Sequence, residues 1–448
     1  MRSIYYLLAS LLVMILLLFS SCLNSSEENI EYSPNAQIYA ISLTSRTDTT
    51  NLLSTTQFTI DQINGKIFNK QPLPFQFHVD SVLLNIRGQS STGSFSQVML
   101  TLEPDSTFVW KQTDSIKVNR LRKITTTAPD GKTTKAYSFE LNIYQQDPYI
   151  LSWERRQQNH IPQPIESQAT VALHNLFITY WQTGTVIKAM TTLATDGTTW
   201  TTVNVTGLPH TVDLSSLAGS GNALFVRDEA MGTVYQSSDG ANWEPVTTPF
   251  SVKAMYGELP SATGGKFLIA VNHNDTLKFA ETADFTAMTL MNRLPANMPV
   301  KEFSAAKIDD LNSFSIKYIL LSGGTKADNT PNNTIWILQK KNGVITYIPS
   351  RIPLSFSLKG SNLFFYDNKP YLMTTSPEKN ILLYSENSGL DWIQTEANQL
   401  FPAAFTKRTD ASIITDADNY IWIFGGISAT QTQLIEVWRG RLNKYSGI

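Results

Sequence analysis

Near copies of one short turn punctuate this chain and set the period on which most of it must fold. Ser237-Ser238-Asp239-Gly240-Ala241-Asn242-Trp243 follows Thr195-Asp196-Gly197-Thr198-Thr199-Trp200, with the two tryptophans 43 residues apart, and a looser copy, Ser385-Glu386-Asn387-Ser388-Gly389-Leu390-Asp391-Trp392, comes later. Each reads as a hairpin turn. The Asp carboxylate can accept hydrogen bonds from the turn's own N–H groups, Gly takes the left-handed backbone, and the Trp is expected to fold back over its hairpin. Such a turn specifies a fold and names no ligand.

Aligning the turns aligns the segments before them, each strand, strand, turn, strand in about 40 to 50 residues, the spacing of propeller blades. Units fall near 169–205, 211–247, 251–292, 300–348, 353–397 and 402–444. The expected fold is all-β, with a six-bladed β-propeller and seven blades as the alternative count. Leu321-Ser322-Gly323-Gly324 followed by Asn332-Asn333-Thr334-Ile335-Trp336, and Ile423-Phe424-Gly425-Gly426 followed by Glu436-Val437-Trp438, resemble the kelch repeat. The Asp-Gly-x-x-Trp turns resemble the Asp-box of sialidase-like propellers. In the third unit Glu281-Thr282-Ala283-Asp284-Phe285 stands where a Trp turn belongs.

The last unit stops at three strands, Ser412 to Thr415, Tyr420 to Phe424 and Leu434 to Leu442, with only Asn443 to Ile448 remaining. An unpaired edge there invites aggregation. The missing strand is therefore expected from 149–155, where Ser152-Trp153-Glu154 matches Asn242-Trp243-Glu244 of the second unit. Pro162 and Pro164 then lead into the first unit. The propeller accordingly spans 149–448 and is closed by strand 149–155.

Met1 and Arg2 precede an apolar run of 16 residues from Ile4 to Phe19, which suits a signal-peptide core better than a spanning helix of about 20 residues. Leu18-Phe19-Ser20-Ser21-Cys22 resembles a lipobox, which implies a signal peptide at 1–21 and lipidation of Cys22; ordinary secretory cleavage is the alternative. Cys22 is the only cysteine, whereas a disulfide-stabilised secreted domain would carry an even set. Residues 22–32 read as a disordered acidic tether. Its Glu27-Glu28 resembles the export signal of surface lipoproteins in the Bacteroides group, with a solvated linker as the alternative. The implied location is the outer membrane, lipid-anchored and surface-exposed, or else facing the periplasm.

Residues 33–148 carry period-2 runs, which read as half-buried strands. Tyr137, Phe139, Leu141 and Ile143 alternate with Ser138, Glu140 and Asn142; Phe75, Phe77 and Val79 form a second series, and Val82, Leu84 and Ile86 a third. Pro129-Asp130-Gly131-Lys132 is a turn. Roughly seven strands suggest an Ig-like β-sandwich. Ile30-Glu31-Tyr32-Ser33, Phe58-Thr59-Ile60-Asp61-Gln62, Lys66-Ile67-Phe68-Asn69, Leu73-Pro74 and Gln145-Gln146-Asp147-Pro148 together resemble a family of uncharacterised Bacteroides-type lipoproteins that pair such a sandwich with a kelch-like propeller. The resemblance covers nearly the whole chain and implies fold and location without an activity.

Two domains suit 448 residues. A formal net charge of −2, with Lys and Arg scattered, argues against a nucleic-acid partner. Sialidase-like hydrolysis needs an arginine cluster, but Arg351-Ile352-Pro353 stands after several units instead of before the first, and Arg227, Arg293 and Arg408 have no matching context. Kelch copper-oxidase chemistry needs a cross-linked Cys, and the only one is Cys22. His78, His160, His174, His210 and His273 lie far apart, so neither a zinc site nor any other cofactor is expected. His174 reads as a strand residue. Asp416-Ala417-Asp418-Asn419 reads as a turn, lacking the remaining ligands of a calcium loop. Pairs such as Asp309-Asp310 are common in loops, and whether any two carboxylates converge across blades is open.

The loops after the Gly-Gly pairs open on the face opposite the Asp turns, where propellers usually bind ligands. Their polar residues, Lys326, Asp328 and Asn329 in one and Gln431 and Gln433 in the other, are the binding candidates. The leading functional expectation is a lipid-anchored protein whose propeller binds a glycan or protein outside the cell. The alternatives are a carbohydrate-active enzyme using carboxylates from different blades, and a structural subunit of a surface complex.

Overall fold

The computed structural model describes residues 32–79, 81–88, 95–259, 265–309, 317–351 and 356–445. The signal region, Cys22 and most of the acidic tether lie outside them, as do Asp310, Ile352 and Pro353. The chain divides into two compact units, Met1–Gln146 and Asp147–Ile448, and both are built of strands.

In the first unit, Val82–Gly88 lies between Ile38–Thr44 and Ser115–Ile116 in a three-stranded sheet. A six-stranded sheet runs in the order Phe58–Asp61, Lys66–Asn69, Thr134–Glu140, Leu121–Thr127, Gln97–Leu102, Ser106–Val109. Only the Lys66–Asn69 and Thr134–Glu140 pair is parallel. Alternation decides which side chains go inside: Tyr137 and Phe139 are buried while Ser138 and Glu140 are exposed. Ile38, Leu43 and Leu84 from one sheet pack with Leu100, Ile124 and Tyr137 from the other. The Tyr137 hydroxyl accepts from Ile38 N–H at 3.0 Å and donates to Gln62 Oε1 at 2.7 Å, so its burial leaves no polar atom unpaired.

Two segments depart from the period-2 reading. Phe75 to Val79 is not a strand: Pro74 opens a turn in which Phe77 N–H donates to its carbonyl at 3.0 Å, and Gln76 takes φ 61°. The alternation there counts apolar side chains without asking where the backbone bonds can go. Leu52–Thr55 forms a single helical turn, which the carboxylate of Asp48 stabilises by accepting from Leu53 N–H at 2.8 Å.

The second unit contains six four-stranded antiparallel sheets. Five take their strands consecutively, beginning with Ser167–Leu173, Val212–Ser220, Ser251–Leu259, Pro299–Asp309 and Ser357–Tyr366. The sixth has the order Leu151–Gln157, Val437–Leu442, Ile421–Phe424, Ser412–Thr415. Its register pairs Leu151 with Leu442, Trp153 with Gly440 and Arg155 with Trp438. Each first strand touches that of the next sheet, and Ser412–Thr415 of the sixth touches Ser167–Leu173 of the first. The succession closes on itself.

Apolar residues fill every seam in this succession. Tyr180 and Val226 meet between the first and second sheets, Phe225 and Ile269 between the second and third, and Leu268 and Leu321 between the third and fourth. Leu320 and Leu372 meet in the next seam, Met373 and Ile423 in the one after, and Trp422 and Phe177 join the sixth sheet to the first. Neighbouring sheets are therefore held largely by apolar side chains, with short backbone bridges such as Thr206 to Asn242 and Arg351 to Asp391 beside them.

The recurring turns serve these seams. Asp239 accepts from the amides of Ala241 and Asn242, both at 2.8 Å, and these bonds hold its carboxyl well below the usual range. Gly240 has φ 77°, and a Cβ there would lie 2.4 Å from Ile178 Cδ1 of the preceding sheet. Trp200 and Trp392 fold back on their own turns as expected, their indole N–H groups donating to Gly197 O at 3.2 Å and Gly389 O at 3.0 Å. Trp243 packs in the seam with the preceding sheet, its ring 5.8 Å from Tyr180. Gly197 lies against Trp422 and Gly389 against Leu320 in the same way. In the third sheet Phe285 occupies the glycine position at φ 67°. Its ring is fully buried 4.9 Å from Phe225, so the side chain compensates for the strained backbone by filling the seam directly.

Candidate functional site

The Asp turns join third strands to fourth strands. Antiparallel pairing therefore puts the starts of the first strands and the loops after the second strands at the opposite end. Here the first strands of the second, third and fourth sheets line a shallow, partly open cleft of about 20 Å³.

One wall is built around a buried ion pair. Regular pairing of Val212–Ser220 with Ala223–Asp228 breaks between Asp213 and Ala218, and side chains replace the missing ladder. Ser216 Oγ donates to Asp213 O at 2.7 Å and accepts from Arg227 N–H at 2.9 Å. Asp213 Oδ2 accepts from Arg227 Nη2 at 2.8 Å, while its Oδ1 accepts from the amide and hydroxyl of Ser215 at 3.0 and 2.5 Å. Arg227 is only 3% exposed, and its Nε has no partner among the described residues. Removing Asp213 would strand a buried charge at a cost of about 3–5 kcal/mol.

The facing wall is Val300, Lys301, Glu302 and Phe303. A regular strand presents alternate residues to one side, yet here four consecutive residues contribute. Glu302 breaks the alternation with φ 52°, a left-handed backbone that glycine normally supplies. Gly324 across the ladder makes the bend feasible, since a Cβ there would lie 2.4 Å from Lys301 O and 2.7 Å from Phe303 Cβ. Lys301 Nζ pairs with Glu229 at 2.5 Å, which holds the Glu229 carboxyl below its usual range. Burial pushes the neighbouring Asp228 carboxyl up, but hydrogen bonds from the Thr211 hydroxyl and the Met231 and Ala230 amides bring it below the ordinary value. Ala254 and Met255 add an apolar surface. The cleft thus offers hydrogen-bond donors, acceptors and a hydrophobic face within a small volume.

The residues singled out from the sequence fall elsewhere. Lys326 ends its strand. Asp328 and Asn329 are exposed in the turn that follows, where Asp328 accepts from Thr330 N–H at 3.0 Å and Asn329 takes φ 62°. Asn332 of this loop is buried and donates to Gly323 O and Thr334 O, both at 2.8 Å. Gln431 is an exposed turn residue at φ 59°. Gln433 donates to Glu166 O at 3.0 Å and accepts from Gln168 Nε2 at 2.8 Å, so its amide joins the sixth sheet to the first. The two loops belong to the fourth and sixth sheets, and no hydrogen bond among the described residues joins them.

Other sequence candidates resolve into structure. His174 is not a strand residue but one of two residues in the hairpin turn after Ser167–Leu173, exposed at φ 55°. Asp416 caps its turn by accepting from Asp418 and Tyr420 N–H and from Trp422 Nε1. Arg351 forms an exposed ion pair with Asp391 at 2.7 Å. Arg408 is fully buried between Glu436 at 2.6 Å and Gly425 O at 2.9 Å. Among the described residues no group of His, Cys, Asp and Glu is arranged to hold a metal ion, and no helix is long and apolar enough to cross a membrane.

The family described as the DUF6242 beta propeller domain matches residues 147–448, and the DUF6242 N-terminal domain, a domain of unknown function, matches 34–141. No curated protein matches the chain. Solved structures similar to it include that of YjhT, with 10% identity over 62% of this chain and 95% of that one at a TM-score of 0.44. Another is virginiamycin B lyase from Staphylococcus aureus, with 12% identity over 65% and 99% at 0.38. Trypanosoma rangeli sialidase in complex with 2,3-difluorosialic acid shows 11% identity over 66% and 59% at 0.41. The propeller assignment rests on the family match.

Proposed function

Taking as premise that the chain belongs to the DUF6242 family, we propose that its propeller is a binding module for an extracellular glycan. A lipid on Cys22 would tether it to the outer membrane, facing outward. In this reading the six sheets are six blades, strand Leu151–Gln157 closes them, and the first unit is an Ig-like spacer. The observation that carries the proposal is the cleft between Asp213, Arg227, Lys301 and Glu302. Paired donors and acceptors beside Met255 and Phe303 match a sugar, which carries hydroxyls around an apolar C–H face. The cleft is shallow, with room for about 20 Å³ of water-sized contents, so a glycan would lie across its open mouth instead of sinking into it.

A glycan array probed with wild type and with Lys301→Ala tests this. Glycan binding that is lost in the variant, with the thermal transition retained, supports the reading; a silent array overturns it. A hydrolysis screen with the same glycans tests a second reading, because Asp213 and Glu302 line one cleft and glycosidases use two carboxylates. Product release would establish an enzyme. Asp213 argues against that outcome, since Arg227 and Ser215 already occupy both of its oxygens.

A further inference from the structure

We propose that an uncharged sugar ring packs across the mouth of the cleft and that Glu302 is the residue that turns acidic sugars away; this rests on the glycan-binding reading above. Both cations at the cleft are already answered by carboxylates, Arg227 by Asp213 at 2.8 Å and Lys301 by Glu229 at 2.5 Å. Asp228 adds a further carboxylate beside Arg227. Glu302 is exposed and forms no ion pair among the described residues, its one recorded polar contact being Thr325 Oγ1 at 3.5 Å. Four carboxylates thus surround two cations. Glu302 is the one whose oxygens remain open to a ligand.

A sugar hydroxyl can donate to Glu302 while a neighbouring hydroxyl accepts from Lys301. A ring carboxylate has no proton to donate to Glu302, and it must either compete with Glu229 for Lys301 or lie beside a like charge. Like charges about 4 Å apart in a partly solvated site are repelled strongly enough to weaken binding by about tenfold or more. The left-handed backbone at Glu302 puts Glu302 and Lys301 in the same wall, so that wall carries both an acceptor and a donor for sugar hydroxyls. Phe303 and Met255 supply the apolar contact.

The test uses matched pairs, methyl galactoside against methyl galacturonide and methyl glucoside against methyl glucuronide, titrated by ligand-observed NMR on the full chain in detergent. Wild type is expected to bind at least one neutral member about tenfold tighter than its acidic partner, and Glu302→Gln to bring that ratio below about threefold with an unchanged thermal transition. Acidic members that bind wild type as well as the neutral ones overturn the selectivity. An unchanged ratio in Glu302→Gln overturns the role of Glu302. Array binding with all four methyl glycosides silent overturns the single-ring seat, whereas silence of both array and glycosides overturns the glycan reading itself.

Discussion

Gly440 tests the seating of strand Leu151–Gln157. It lies opposite Trp153 in the ladder, and its backbone is ordinary for a strand, so glycine is needed there for space alone. A Cβ at Gly440 would come within 2.5 Å of Trp153 Cε3, a separation that forces the indole out of its tilted contact with Phe401 at 4.8 Å. Overpacking of this kind costs about 1–3 kcal/mol, or roughly 2–6 °C in the thermal transition of a unit this size. Trp153→Ala removes a half-buried indole and should cost about 2 kcal/mol by itself. In that background Gly440→Ala has nothing to strike, so its penalty should fall below about 0.5 kcal/mol, a coupling of the size found for residues in contact. Differential scanning calorimetry of the four proteins measures the cycle. If Gly440→Ala costs as much without the indole as with it, strand Leu151–Gln157 does not sit where the register places it.

His160 predicts a pH dependence. Burial beside Trp200 pulls its imidazole down to about 4, against about 6.5 in an unfolded chain. Its contribution is therefore constant above pH 6.5 and falls by about 3 kcal/mol between pH 6.5 and 4, where only the unfolded chain takes up the proton. His160→Gln should flatten that part of the stability curve, and a mutant curve parallel to wild type would refute the assignment. Gly240→Ala combines a φ of 77° with a Cβ 2.4 Å from Ile178; it should destabilise by about 2 kcal/mol, visible as a lower thermal midpoint and faster proteolysis. Cys22→Ala should move the protein from the detergent phase to the aqueous phase or leave an unprocessed precursor, since stable anchoring requires more than one acyl chain. Identical fractionation of the variant and wild type would exclude the lipid.

Local chemistry made much of the second unit legible. An Asp followed by Gly specifies its own turn, and a Gly-Gly pair marks close packing, so both can be recognised without knowing their neighbours. The destination of Trp243 could not be read this way. Trp243 chooses a partner, Tyr180, that lies in another sheet, and local periodicity contains no information about that choice. The cleft was hidden for a similar reason. Asp213 and Arg227 are cross-strand partners at the edge of a register break, and where that break falls follows from no pattern of polar and apolar residues; Glu229 and Lys301 are 72 residues apart. Polar loops drew attention instead, although Asn332 and Gln433 spend their amides on the protein itself. The one advance signal was Arg227, a cation directly after the apolar run Ala223-Leu224-Phe225-Val226.

The two Gly-Gly pairs govern more than close packing. A Cβ at Gly323 would lie 2.2 Å from Leu358 O, and one at Gly425 would lie 2.2 Å from Gln168 Oε1, each in the sheet that follows. At the first of these seams main chain lies against main chain, with no side chain at that point that mutation could shorten or lengthen, whereas at the second the close neighbour is the Gln168 side-chain amide. The close approach between the fourth and fifth sheets is therefore rigid to sequence drift. Descendants of this chain can re-tool what lines the cleft, position by position, but they cannot acquire a larger guest by opening the ring there.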